Sequence, residues 1–133
     1  MNNIRRVLLW LIIFFLGYTF ANKMMHFDVF LENLVRTGVF GSVMVYVVAI
    51  YALFTELLCL LLLIFKEKIG CLTTLFVLYS YTLYIFYLGV SGRYEVCGCG
   101  GILNGLQFKW HLLINLCMII CLTYLYKDDN KRQ

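Results

Sequence analysis

Residues Cys97-Gly98-Cys99-Gly100-Gly101 place two thiols one residue apart in a glycine-rich stretch between strongly apolar segments. Glycine frees the backbone to bend, so the two thiols could face each other or a partner. A disulfide needs Cα atoms about 4.4–6.8 Å apart. Residues i and i+2 of a fully extended chain lie near the upper limit, and a turn at Gly98 brings them within it. The resulting small ring is expected to be strained, and strained disulfides are easier to reduce and more oxidising. That property suits a transferable disulfide better than a staple, which gains its stability from closing a long loop. Three other readings stay open. Each cysteine could bond a different partner, including a cysteine of another protein, or the pair could be a plain structural disulfide. The pair could also bind metal, but zinc takes about four ligands, and only His111 nearby and His26 farther off could complete the set. No metal site is assigned.

The other polar residues that could do chemistry lie in apolar surroundings. Glu56 is the one charge inside its apolar run, and a charge near a bilayer centre costs at least about 2.5 kcal/mol. Such an acid faces the bundle interior, pairs with something or stays protonated. Lys23 is the nearest candidate partner. Counting 1.5 Å per residue, Lys23 stands about 24 Å above Val7 and Glu56 about 14 Å above Phe65. If both runs begin at one level, a lysine reaching down and a glutamate reaching up bridge the gap of about 10 Å only marginally. His111 and Asn115 lie one helical turn apart and share a face that starts just after the cysteine stretch. His111 could lower the pKa of a nearby thiol or carry its proton. Alternatively, it sits in the headgroup zone, and Asn115 bonds a neighbouring helix. Cys59, Cys71, Cys117 and Cys121 fall within apolar runs or at their edges, where free cysteine behaves as a small apolar residue.

The elements that must position these groups follow from composition. The chain has 133 residues, 63% hydrophobic and 14% charged, with no proline, and its mean hydropathy is +0.88. A soluble domain of this size does not have that composition. A membrane-crossing helix needs about 20 apolar residues. Four runs come near that length: Val7 to Ala21, Phe40 to Phe65, Ile69 to Val90 and Trp110 to Tyr126. They predict one domain over residues 1–133, an all-α bundle of four transmembrane helices spanning about 7–25, 40–65, 69–90 and 110–126. The first run also has features of a signal peptide, with Arg5 and Arg6 as a basic n-region and Thr19-Phe20-Ala21 as a loose cleavage site; a retained helix is the reading taken. Trp110 fits an interfacial anchor. The net charge of +4 sits at span ends and forms no long patch, which argues against a nucleic-acid partner.

Charge bias sets the expected orientation. Arg5, Arg6, Lys66, Lys68, Lys127, Lys131 and Arg132 fall on one side, and Lys23, Arg36, Arg93 and Lys109 on the other. The richer side should be cytoplasmic, with both termini inside. The cysteine loop between the third and fourth spans then faces out, into a bacterial periplasm where disulfides form and persist. The expected location is the bacterial inner membrane. The short Lys66-Glu67-Lys68 connection predicts an antiparallel hairpin of spans two and three. In the Asn22–Val39 connection, Phe27, Phe30, Leu31 and Leu34 follow a helical period, consistent with a short helix on the outer membrane surface or an ordinary amphipathic connector.

Taken together, these residues resemble the MauE branch of the DoxX-like membrane proteins. The resemblance runs from about Gly17 to the end of span four. It is carried by Lys23 with Phe27 and Phe30, by Glu56, by the Cys97-Gly98-Cys99-Gly100-Gly101 loop, and by His111 with Asn115. Many relatives carry an aromatic residue at the position of Gly100, a departure that leaves the thiols intact and bears on the loop's shape. Lys23 and Glu56 match the broader DoxX-like pattern. The resemblance implies a four-helix bundle related in shape to vitamin K epoxide reductase and DsbB-type oxidoreductases. It implies disulfide formation or transfer on exported proteins, often beside a thioredoxin-like partner.

Two functions are therefore expected. In the first, Cys97 and Cys99 cycle as a membrane thiol–disulfide oxidoreductase, with His111 as a helper. A client or carrier thiolate attacks one sulfur to form a mixed disulfide, which the second cysteine resolves. A quinone is the candidate electron acceptor, between helices near Glu56, Tyr84, Tyr87 and His111, with Lys23 and Asn115 as further cofactor-site candidates. No nucleotide or flavin motif is present. In the second, the chain is a non-catalytic subunit or scaffold of a larger membrane complex and the cysteine loop is a structural clasp. Membrane lipid, a thioredoxin-like carrier or an exported cysteine-containing client, and a larger complex are the expected partners. A transporter is disfavoured, because no repeat or broken helix supports one.

Overall fold

The computed structural model describes residues 3–92 and 108–132. The expectations for Cys97, Cys99 and their loop fall outside the described residues. Five helices follow one another: α1 (Asn3–Met25), α2 (Phe27–Thr37), α3 (Ser42–Phe65), α4 (Glu67–Val90) and α5 (Phe108–Arg132). No strand occurs among the described residues. Helices α1, α3, α4 and α5 are long and apolar enough to cross a membrane, and only 22–28% of each apolar window is buried. The remainder is the outward apolar face that lipid requires, so burial is spent on one narrow stripe per helix. On α3 the stripe is Val45, Ala49, Ala52, Glu56, Cys59 and Leu63. Its alternating four- and three-residue steps keep one face turned toward neighbours packed at a shallow crossing angle.

The hairpin of α3 and α4 turns at Lys66, whose N–H donates to the Leu62 carbonyl at 2.7 Å. Gly70 lets the start of α4 lie against the end of α3. A Cβ there would stand 2.5 Å from the Leu63 backbone nitrogen and 2.6 Å from its Cα, and no rotamer change can move backbone aside. Helix α2 ends at Gly38, whose φ of 64° is the left-handed region that glycine enters without cost. Its N–H closes the helix on the Val35 carbonyl at 3.0 Å. Phe30 and Leu34 of α2 pack with Val45, Ala49 and Ala52 of α3, so α2 covers one end of the bundle. A second core toward the other end joins Ile12, Leu16, Leu63, Cys71, Leu78, Ile119, Leu122 and Leu125 from all four long helices.

That other end is closed by charge. Arg5, 5% exposed, donates through Nε and Nη2 to Glu67 at 3.0 and 2.6 Å and through Nη2 to Asp129 at 3.0 Å. Asp128 lies 3.8 Å from it and also pairs with Arg132 at 3.2 Å. These contacts put the start of α1, the start of α4 and the end of α5 at one level. They also account for helix beyond the apolar spans: the first helix includes Asn3, ahead of the span start at about residue 7, and the last reaches Arg132, past the span end at about 126. Paired charges keep the flanking turns helical beyond the apolar runs.

Gly70→Ala is expected to lower the thermal midpoint in detergent by the equivalent of about 1–3 kcal/mol, the usual cost of overpacking. Gly17→Ala, with open space around it, should be neutral or slightly stabilising, by at most about 1 kcal/mol of helix propensity. Circular-dichroism melts of the two variants make the comparison.

Candidate functional site

The end of the bundle covered by α2 holds Lys23, Glu56, His111 and Asn115, all buried. Lys23 lies in the last turn of α1 and Glu56 midway along α3. Both are buried, at 5% and 3% exposure, and the lysine Nζ donates directly to Glu56 Oε1. The marginal reach expected from axial counting is thus corrected. From the level of Arg5 and Lys66, Lys23 stands about 27 Å up and Glu56 about 15 Å up, yet they meet. Side chains lean toward the N-terminus of their own helix. On antiparallel α1 and α3 the lysine therefore leans down and the glutamate up, and helix tilt shortens the remaining gap.

Neighbouring elements complete the pair's surroundings. The Tyr81 hydroxyl of α4 donates to the same Glu56 Oε1 at 3.4 Å. The Lys23 ammonium stands 5.5 Å from the Phe30 ring centre and 5.4 Å from that of Tyr81, where ring faces attract a cation. Glu56 Oε2 is buried with no hydrogen-bond partner among the described residues. A carboxylate held by an ammonium is an acceptor, so that oxygen calls for a donor.

A cavity of about 150 Å³ adjoins the pair, with Lys23, Glu56, Tyr81, Tyr84, His111 and Asn115 in its wall beside Phe30 and Phe40. Phe40 and Tyr84 stack with ring centres 6.0 Å apart. His111 and Asn115 open α5 with 2% and 4% exposure, so His111 faces the bundle and not the headgroup zone. The Asn115 amide donates to Thr82 Oγ1 at 3.5 Å, the interhelical bond the sequence suggested. Lys23, Glu56, His111 and Asn115, scattered across the sequence, thus meet around one space.

Tyr87 is not part of it. It is 53% exposed, because six residues rotate it about 120° from Tyr81 around α4. Sequence reasoning missed Tyr81 and the Phe40–Tyr84 stack. The available signal was the i, i+3 spacing of Tyr81 and Tyr84, four residues below the buried Ile85 and Leu88. Among the remaining cysteines, Cys59 and Cys71 are buried, Cys121 is half-buried and Cys117 is exposed. No group of three or more potential metal ligands occurs among the described residues.

Lys23→Met alone leaves a buried acid without its cation and is expected to cost about 3–5 kcal/mol of stability. Lys23→Met combined with Glu56→Met, which replaces both charges with apolar chains of similar size, should recover most of it. Unfolding of purified protein in mixed micelles gives both numbers.

In comparison with known proteins, residues 1–127 match the family described as Methylamine utilisation protein MauE. Comparison with curated proteins finds no match, and comparison with solved structures finds none.

Proposed function

The chain belongs to the MauE family and is a multi-pass membrane protein, and from that premise we propose that it supports disulfide formation or transfer during maturation of exported proteins. In this reading Cys97 and Cys99 are the exchanging pair, the four helices act as one unit in a bacterial inner membrane, and the cysteine loop faces the oxidising side. A client thiolate attacks one sulfur of the Cys97–Cys99 disulfide, and the other sulfur leaves as a thiolate. The second client thiolate then displaces the mixed disulfide. The client leaves oxidised, and the loop pair holds two electrons and two protons.

The observation that carries this reading is the cavity beside the buried Lys23–Glu56 pair. It lies at the bundle end where α4 stops at Val90 and α5 starts at Phe108, and the 17 residues joining them contain both cysteines. His111, three residues into α5, lines that cavity, which supports giving it the role of holding a proton released from the thiols. The two electrons must pass to an acceptor, for which a membrane-dissolved quinone is the fitting class. A cavity of about 150 Å³ accommodates a single six-membered ring, and its polar groups sit against aromatic walls. MauE is named for methylamine utilisation; the client of this chain is proposed only as an exported protein with paired cysteines, or a thioredoxin-like carrier of its oxidising equivalents.

Cys97→Ser and Cys99→Ser should each reduce oxidation of a reduced client, in membranes, to the uncatalysed level. Supplied instead with disulfide-bonded client, one of the two should attack it with the remaining thiolate and accumulate a mixed disulfide that acid quenching and maleimide labelling trap. If both variants oxidise the client as the parent does, the exchanging role is lost and a scaffold role takes its place.

A further inference from the structure

We infer that the cavity beside the Lys23–Glu56 pair is a binding site for a neutral, ring-sized molecule that carries a hydroxyl group, and that Glu56 Oε2 receives the hydrogen bond from that hydroxyl. Four observations converge on it. The space, about 150 Å³, holds one aromatic ring. Its walls are mostly apolar and include Phe30, Phe40, Tyr81 and Tyr84. Lys23 and Glu56 already neutralise each other, so a charged ligand would bring an unpaired charge into a buried site. Glu56 Oε2 is buried with no donor among the described residues, and a buried acceptor costs free energy until something donates to it.

Chemical class follows from that oxygen. A carbonyl opposite Glu56 Oε2 would set two acceptors against each other, whereas a hydroxyl supplies the missing donor. The site should therefore favour a hydroxyl-bearing ring over an apolar ring of equal size. The inference rests on the cavity and not on the cysteines. It touches the proposed thiol chemistry at one point, because a hydroxyl-bearing ring is the reduced form of the quinone class.

The test uses the full chain in lipid nanodiscs with 4-fluorophenol and 4-fluorotoluene as probes, followed by ¹⁹F line broadening, with empty nanodiscs correcting for partition into lipid. The phenol should bind saturably and about tenfold or more tighter than the toluene, as a buried bond to a charged acceptor implies. Ala52→Phe, which fills the cavity from α3, should abolish saturable binding of both probes. Lys23→Met/Glu56→Met removes the acceptor without stranding a charge, and should leave the two probes within about threefold of each other. Binding should persist in Cys97→Ser/Cys99→Ser, so the site and the thiol reading can fail separately. Equal affinity of the two probes for the parent protein would overturn the inference. So would a phenol preference that survives in the double methionine variant, or binding unaffected by Ala52→Phe.

Discussion

An ammonium and a carboxylate buried in an apolar bundle have no water to turn to, and so must find each other. That constraint on Lys23 and Glu56 organises the end of the molecule that holds its cavity. Their ion pair ties α1 to α3 at a fixed register, because a one-residue slip of either helix would rotate its charge about 100° toward lipid. It recruits Tyr81 from α4 through a hydrogen bond and Phe30 from α2 through its ring face. Helix α2 then has one seat, with Phe30 and Leu34 against Val45, Ala49 and Ala52. The cavity is the space left where four helices and a covering segment converge beside a pair whose second carboxylate oxygen no described residue reaches.

Helix α1 is held at both ends by charge and between them by apolar contact. Arg5 meets Glu67, Asp128 and Asp129 at one end and Lys23 meets Glu56 at the other, while Ile12 and Leu16 enter the core between. Lipid is as apolar as leucine, so burial alone gives little preference for one helix face over another. Ionic pins supply the choice. Close approach at Gly70 does the same for the hairpin of α3 and α4, where sterics alone set the spacing.

The four long helices were legible because hydropathy and length are local properties, and each run announces itself within about 20 residues. The candidate residues Lys23, Glu56, His111 and Asn115 were legible one by one, because each is expensive where it stands. Their meeting was harder to read. Axial counting allowed for a lysine reaching down and a glutamate reaching up, but took both helices as straight rods and so made the gap of about 10 Å marginal. The partners of Arg5 lie 62 and more residues away, and charge counting assigned Arg5 a topological role without seeing its acids. Tyr81, Tyr84 and Tyr87 look alike in an apolar run. Only the rotation of α4 fixed by its neighbours separates two that line the cavity from one that faces outward.

The most direct measurement is the distance between Lys23 Nζ and Glu56 Cδ in a bilayer, by solid-state NMR dipolar recoupling on ¹⁵N-lysine- and ¹³C-glutamate-labelled protein. Lys23→Met and Glu56→Gln samples would assign the signals. A buried, charge-assisted contact puts the two nuclei about 3–4 Å apart, with Glu56 resonating as a carboxylate, and strong dephasing is the predicted result. Absence of dephasing, placing the nuclei beyond about 6 Å, would contradict the pairing on which the register of α1 and α3 and the form of the cavity depend.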